Sequence, residues 1–269
     1  RDRLKAHIFF ISSSKIPNSF NEIFIQFTDE STHIRSEKIR TDFVANASHE
    51  LRTPLTSIMG YIETLQGHAK KDVKMQKVFL DLMNKQAGKM ERLISDLMSL
   101  SRLEIDELKP ISSTCSVKEI IEELVNSLKP LSVDNNVSLS FKIPKNFSSV
   151  IGDPSQLRQL FSNLIENAIK YSGKKSKVNI YISKEKNKDM FGVVVEDNGH
   201  GIAPEHLSRL TERFYRANSS AEIEKEGTGL GLSIVKHILI RHRGKLQIDS
   251  KLGKGSKFIA WLPKMKNTS

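Results

Sequence analysis

The sequence has one cysteine, Cys115, one tryptophan and no apolar run approaching a membrane span. A single thiol cannot close an intramolecular disulfide, so the fold must rest on packing, and a reducing, cytoplasmic setting is expected. The longest apolar stretches, residues 7–11 and 191–195, fall far short of the roughly 20 residues a membrane helix needs. No basic, apolar, small-residue leader opens the chain, so no secretory signal is read. It begins on Arg1 rather than methionine. A piece of a longer protein is therefore expected, with membrane attachment only through a region before residue 1.

Acidic residues are also scarce beside basic ones, 31 against 42, giving a net charge of +11. That balance could serve nucleic acid or an anionic surface. The lysines are scattered, however, and the clusters at 174–177 and 184–188 have no interleaved aromatics. They flank candidate strands and read as solvated turns, so no nucleic-acid partner is expected. With 269 residues, 38% of them hydrophobic, the chain can form about two domains that each bury a core.

Three regions differ in pattern. Residues 1–31 carry two short apolar runs around a turn-like Asn18-Ser19 segment, which predicts two strands, too few for a domain. Residues 32–105 turn helical, broken at 66–72 with Gly67 at a helix end. From 106 to 269 strands and helices alternate, predicting a mixed α/β domain. In the first long helix Phe43, Ala47, Leu51, Leu55, Ile58, Ile62 and Leu65 recur at steps of four and three. Met83, Ala87, Met90, Ile94, Leu97 and Leu100 do so in the second. Two such stripes make a hairpin with a coiled-coil-like seam. Pairing with a second copy into a four-helix bundle would cover that seam.

His49 lies about 170° around the first helix from the centre of its stripe, so it is expected to face solvent. A lone exposed histidine is usually incidental. Here its neighbours are Ser48, Glu50, Arg52, Thr53 and Pro54. The proline inside a helix removes a hydrogen bond at a cost of about 3 kcal/mol, which hints at a bend kept for function. Neutral imidazole, well populated near neutral pH, is a competent nucleophile. Glu50 can orient the other ring nitrogen or take its proton, or be an ordinary solvated helix residue. Thr53 shares the exposed face, about 40° further round.

Four further motifs follow in order. Asn163, Asn167 and Lys170 share a face of a helix opened by Asp153-Pro154; two amide oxygens and an ammonium suit Mg²⁺ and phosphate oxygens. Then Val193-Val-Val-Glu-Asp197-Asn198-Gly199-His200-Gly201 reads as a strand delivering a carboxylate to a turn whose glycines let backbone approach a ligand. Arg213-Phe214-Tyr215-Arg216 comes next. Last is Gly227-Thr228-Gly229-Leu230-Gly231-Leu232 at a helix start, an anion-binding geometry without the lysine and hydroxyl of a P-loop.

The segment from Phe43 to Ile58, with His49-Glu50-Leu51-Arg52-Thr53-Pro54 at its centre, resembles the H-box of the sensor histidine kinases. The later motifs, in this order, resemble the N, G1, F and G2 boxes of their catalytic domain, an ATPase fold shared with gyrase, Hsp90 and MutL. The resemblance runs from about residue 32 to 263 and implies a helical hairpin, dimeric as a four-helix bundle, followed by an α/β sandwich. It implies autophosphorylation of His49 from ATP and transfer to a response regulator receiver domain. Glu50 would assist, and Thr53 would hold water in the reverse, phosphatase reaction.

It also implies Asn167 on Mg²⁺, Asn163 and Lys170 on the phosphates, Tyr171 on the adenine face and Asp197 on the adenine amino group. Gly199 and Gly201 would shape the pocket, Gly229, Leu230 and Gly231 would wrap the phosphates, and Ser256 would lie beside the adenine. Residues 203–226, including Arg216, correspond to a lid. The ATPase relatives carry a water-activating glutamate where Asn163 stands, and Glu166 is turned about 100° from Asn167, so the site suits phosphoryl transfer rather than hydrolysis. Residues 1–31 resemble the end of a PAS sensor domain. Within the family the likeness is to phosphate-regulon sensor kinases, which implies a parent anchored in the bacterial inner membrane. A gyrase-like ATPase, a dimeric scaffold with a degenerate pocket and a nucleic-acid binder are the rival readings.

Overall fold

The computed structural model describes residues 4–11, 22–29, 31–70, 72–106, 109–144, 149–183, 189–217 and 227–265. The chain divides into two units, Arg1–Thr56 and Ser57–Ser269. In the first, β1 (Leu4–Ile11) and β2 (Glu22–Asp29) pair antiparallel in a hairpin, matching the two strands expected. The helix α1 (Ser31–Gln66) follows and holds Pro54 in its interior. The division between the units falls inside this helix.

In the second unit the last turns of α1 lead through a turn to α2 (Val73–Ile105), where the break was expected. Asp72 caps α2, its carboxylate accepting from the backbone of Lys74 and Met75. Across the turn the rings of Tyr61 and Phe79 lie 5.6 Å apart. The expected stripes are only half covered: Leu55 is 47% exposed in the first unit, and Ile62 and Ile94 are 38% and 45% exposed in the second. The leucines that α2 does bury, Leu93, Leu100 and Leu103, mostly lie outside the stripe. This helix packs against α7, described below.

The rest of the second unit is the mixed α/β layer. In chain order come β3 (Thr114–Cys115), α3 (Val117–Ser127), α4 (Lys129–Asp134), β4 (Ser138–Lys142), β5 (Val150–Ile151) and α5 (Pro154–Tyr171). Next are β6 (Lys177–Ile182), β7 (Met190–Asp197), α6 (Pro204–Leu207), α7 (Gly231–Arg241), β8 (Lys245–Lys251) and β9 (Gly255–Pro263). The main sheet has the order β4-β6-β7-β9-β8, with β4 and β6 parallel and the other pairs antiparallel. Helices α3, α5 and α7 pack side by side as the second layer. Lys174 and Lys175 occupy the exposed turn before β6, as expected of a solvated cluster; the cluster at 184–188 lies outside the described residues. No helix among the described residues is long and apolar enough to cross a membrane.

The helix that matters most for the site is α5. Asp153 caps it by accepting from the N–H groups of Ser155 and Gln156, and Pro154 takes the first position, where its missing N–H costs nothing. Leu157, Leu160, Phe161, Leu164, Ile165 and Ala168 then recur at steps of three and four and are all buried. Full burial of Phe161 alone contributes about 2–3 kcal/mol. Its other face is left polar. A side chain from α7's end locks the start: His242, 4% exposed, accepts the Asp153 N–H at Nε2 (3.0 Å), while its Nδ1 lies 2.8 Å from the Ile238 carbonyl. The ring therefore carries its proton on Nδ1 and is neutral.

Burial is the main reason the His242 pKa lies below its ordinary 6.5; the neighbouring Arg241 lowers it further, and Ile238 and Asp153 partly oppose this. Below pH 6.5 the unfolded chain takes up a proton that the native ring resists. The stability is thus complete above that pH and lost as pH falls beneath it. We expect thermal melting temperatures to drop between pH 7 and 5.5. A His242→Gln chain, already less stable, should show a flatter slope over that window.

Candidate functional site

One large cavity opens in the second unit, about 1160 Å³ in volume, roomier than the roughly 300–1,000 Å³ of ordinary ligand sites. Its floor is the polar face of α5, which contributes Asn163, Asn167, Lys170 and Tyr171. The C-terminal end of β7 brings in Asp197, and β9 brings in Ser256, paired with it across the sheet. The loop after β7 adds Gly201, the segment ending at Ala217 adds Arg216, the turn before α7 adds Gly229, and the first residue of α7 adds Gly231. All of these were expected from the sequence to meet one ligand, and the fold gathers them around one space.

Asp197 is 8% exposed. Burial pushes its carboxyl above the usual carboxylate range, while hydrogen bonds from the backbone of Gly199 (2.8 Å to Oδ1) and Ser256 hold it down. The group is thus a fixed acceptor on the cavity wall, suited to a ligand N–H. Gly199 lies beneath it rather than on the cavity wall; a β-carbon there would strike the Ser172 backbone. Gly201 sits at φ +72° hard against the carbonyl of Lys251, and Gly253 donates to the His200 carbonyl at 2.6 Å. The loop is pinned to the β8–β9 turn, with Ser250 bonding Ile202 N–H (2.8 Å) and the Ser256 hydroxyl (2.9 Å). Gly229, at φ +71°, packs on the Phe214 backbone, where any side chain would collide.

Gly199 is not the only expected residue off the cavity wall. Leu230 is fully buried and does not line the cavity, so only its backbone could reach a phosphate. Lys170 lines the cavity with its Nζ 2.9 Å from Glu166. Glu166 itself also lines the cavity, because the space wraps further round α5 than a 100° separation allows. Both its oxygens are engaged, one by the Ser162 hydroxyl at 2.8 Å and one by Lys170. Such a carboxylate is a poor candidate for activating water, because of these contacts and not because of its direction.

The cavity wall also includes Lys89, Arg92 and Asp96 from α2, which sequence reasoning missed. Asp96 Oδ2 accepts from the Thr228 hydroxyl at 2.8 Å. Burial raises its pKa, partly offset by that hydrogen bond. Near the rim, His206 Nδ1 and the Tyr215 hydroxyl are 2.7 Å apart, and Arg209 lies 4.2 Å over the Tyr215 ring. Residues 218–226 of the expected lid lie outside the described residues.

In the first unit His49 is exposed and Glu50 partly buried beside it. Pro54 has no N–H to give the Glu50 carbonyl. The Thr53 hydroxyl folds back to donate to the His49 carbonyl at 3.2 Å, as Ser48 does to Val44 at 2.8 Å. The turn carrying His49 is thereby tied at its backbone while the imidazole stays in solvent.

Residues 39–105 match the His Kinase A (phospho-acceptor) domain, and residues 152–266 match the histidine kinase-, DNA gyrase B- and HSP90-like ATPase family. The phosphate regulon sensor protein PhoR of Pseudomonas aeruginosa is 42% identical over 224 residues, 82% of this chain and 49% of PhoR. The chain belongs to the sensor histidine kinases. It spans about half the length of the relatives it matches. Among solved structures, the Acinetobacter baumannii histidine kinase AdeS is 26% identical with a TM-score of 0.63, over 81% of this chain and 98% of AdeS. Histidine kinase ThkA, solved in complex with response regulator protein TrrA, is similar in fold: TM-score 0.65 at 20% identity, over 99% of this chain and 76% of that one. The likeness to phosphate-regulon kinases read from the motifs agrees with the match to PhoR.

Proposed function

We propose that this sensor kinase binds ATP in the cavity on α5, phosphorylates His49, and passes the phosphoryl group to an aspartate of a response regulator. The observation that carries the reading is the convergence of Asn163, Asn167, Lys170, Asp197, Gly229 and Gly231 on one cavity. Asp197 receives the adenine amino group, with Ser256 beside it and Tyr171 against the ring. Asn163, Lys170, Arg216 and the backbone at Gly229–Gly231 hold the phosphates, Lys170 keeping one of its three N–H groups on Glu166. The amide of Asn167 on the cavity floor suits Mg²⁺, an ion that keeps its waters and binds through phosphate oxygens and one or two protein ligands. Asn167 would hold it, and it would neutralise charge on the transferring group.

A lone pair of the neutral His49 ring forms the N–P bond as the bond from the γ-phosphorus to the bridging oxygen breaks and ADP departs. Glu50 takes the proton from the opposite ring nitrogen. The receiver aspartate then displaces the histidine, as the pairing of ThkA with a response regulator suggests by analogy. The half-covered stripes on α1 and α2 support a homodimer, whose second copy would complete a four-helix bundle. The scheme assigns 1–31 to a PAS end, 32–105 to dimerisation and phosphotransfer, and 106–269 to catalysis, in a parent held at the inner membrane. Incubation with γ-labelled ATP and Mg²⁺ tests it. The protein should acquire label that acid removes and alkali spares; phosphate release without protein labelling would point to an ATPase instead.

The phosphatase half of the reading rests on Thr53. Its proton is engaged by the His49 carbonyl, so it would orient water through its lone pairs, next to the docked regulator. That contact matters for hydrolysis and not for attack by imidazole on ATP. Thr53→Ala should keep autophosphorylation within a few-fold and reduce phosphatase activity toward the cognate phospho-regulator by roughly 10²-fold, as loss of a positioning group does. Both rates measured on one preparation decide it; a parallel loss would indicate a helix defect.

A further inference from the structure

The nucleotide cavity has two cations on its wall that the α/β layer does not supply. Lys89, Arg92 and Asp96 stand at steps of three and four on one face of α2 and line the same space as Asn163 and Lys170. Thr228 fixes where along the ligand this face lies. Its hydroxyl donates to Asp96 at 2.8 Å and accepts the Leu230 N–H at 3.3 Å. The face of α2 therefore meets the glycine-rich turn, the phosphate end of the site, and not the adenine end at Asp197.

The acids of this space are already committed. Asp96 accepts from Thr228, and Glu166 is held by Ser162 and Lys170. Glu166 repels Asp96, while Lys170 and Arg92 attract it. Lys89 stands apart: among the described residues its ammonium pairs with no acid. It is nevertheless partly buried, whereas Lys74, Lys77 and Lys85 of the same helix are exposed. A cation drawn part-way out of water without a counter-charge is unfavourable until an anion joins it. Arg92, nearly one turn on, is more open and bonds the Gly88 carbonyl through Nε at 3.4 Å. Its planar guanidinium matches the oxygens of a phosphate.

We propose that Lys89 and Arg92 bind the outer phosphate of the nucleotide, so that the triphosphate end of the site is completed from α2. The inference deepens the reading of the cavity as an ATP site and rests on it. A triphosphate seated on Asn163, Lys170 and Gly229–Gly231 meets these two cations on its other side, in a space where surrounding protein weakens the screening by water. The adenosine end touches neither of them. The pair therefore favours ATP over nucleotides with fewer phosphates.

Lys89→Gln and Arg92→Gln remove each charge and keep a polar side chain. Equilibrium titration of the full chain with ATP, ADP and adenosine should show ATP binding weakened about ten-fold in each variant, the low end for contacts to a charged group. ADP should weaken less and adenosine not at all. Lys85→Gln is the control: it makes the same charge change on an exposed residue of α2 away from the cavity, and should leave all three affinities at parent values. Unchanged ATP affinity in both Lys89→Gln and Arg92→Gln would overturn the proposal. So would an equal loss for adenosine, which would mean damage to the fold, or an equal loss in Lys85→Gln, which would mean diffuse charge rather than contact. A parent chain that binds none of the three ligands would instead remove the nucleotide reading itself.

Discussion

His49→Gln should lose self-labelling from γ-labelled ATP by at least about a thousandfold, as removal of a nucleophile does, while ATP affinity and folding stay at parent values. The imidazole is exposed and contributes to no core, so its loss should not shift the melting curve. The tie that shapes this turn runs from the Thr53 hydroxyl to a backbone carbonyl and survives the substitution. Glutamine keeps the polarity and much of the volume but offers no nucleophilic nitrogen. Label persisting on the variant would place the phosphoacceptor elsewhere. Mixing His49→Gln with Asn167→Asp chains extends the test, because recovered label requires two subunits in one particle.

The second large effect is expected at Asp197. Asp197→Asn replaces half of a buried acceptor with a donor and removes its charge, so the contact to an adenine amino group is lost. A hydrogen bond to a charged group is worth about 1.5–3 kcal/mol, which predicts ATP affinity lower by roughly 10- to 150-fold. The fold should not suffer. Burial disfavours the ionised carboxylate here, and asparagine can still accept the Gly199 N–H from its amide oxygen. A fluorescent ATP analogue measures the affinity and a thermal melt the stability. Unchanged affinity would refute the adenine assignment, and joint loss of both would mean that Asp197 serves the loop alone.

The α5 start was legible because Asp153-Pro154 supplies a cap and a first-turn residue, and the leucine spacing gives one buried face. β7 was legible for a similar reason: its run ends in a carboxylate followed by glycines, and the strand does stop at Asp197. The parallel pairing of β4 with β6 could not be read, since both neighbours of an edge pair satisfy the same local pattern and only the path of α5 between them decides the direction. The role of α2 was hidden for another reason. Its seam at Met83, Ala87, Met90, Ile94 and Leu97 dominates the helical period, so Leu93, Leu103 and Asp96 read as interruptions of one stripe. They belong to a second face, which the tertiary contact with α7 reveals. Glu166 shows the limit of angular reasoning on a helix, where a broad cavity admits residues that a 100° step appears to exclude.

The γ-phosphate of ATP is expected to come to rest on His49. Labelled protein digested with trypsin at alkaline pH should yield the peptide of residues 41–52, which ends at Arg52 and contains no other histidine. Fragmentation mass spectrometry of that peptide should place the phosphoryl group on His49, and brief acid treatment should remove it. A phosphoryl group on Ser48 or Thr41 of the same peptide, or on any peptide outside it, would contradict the account.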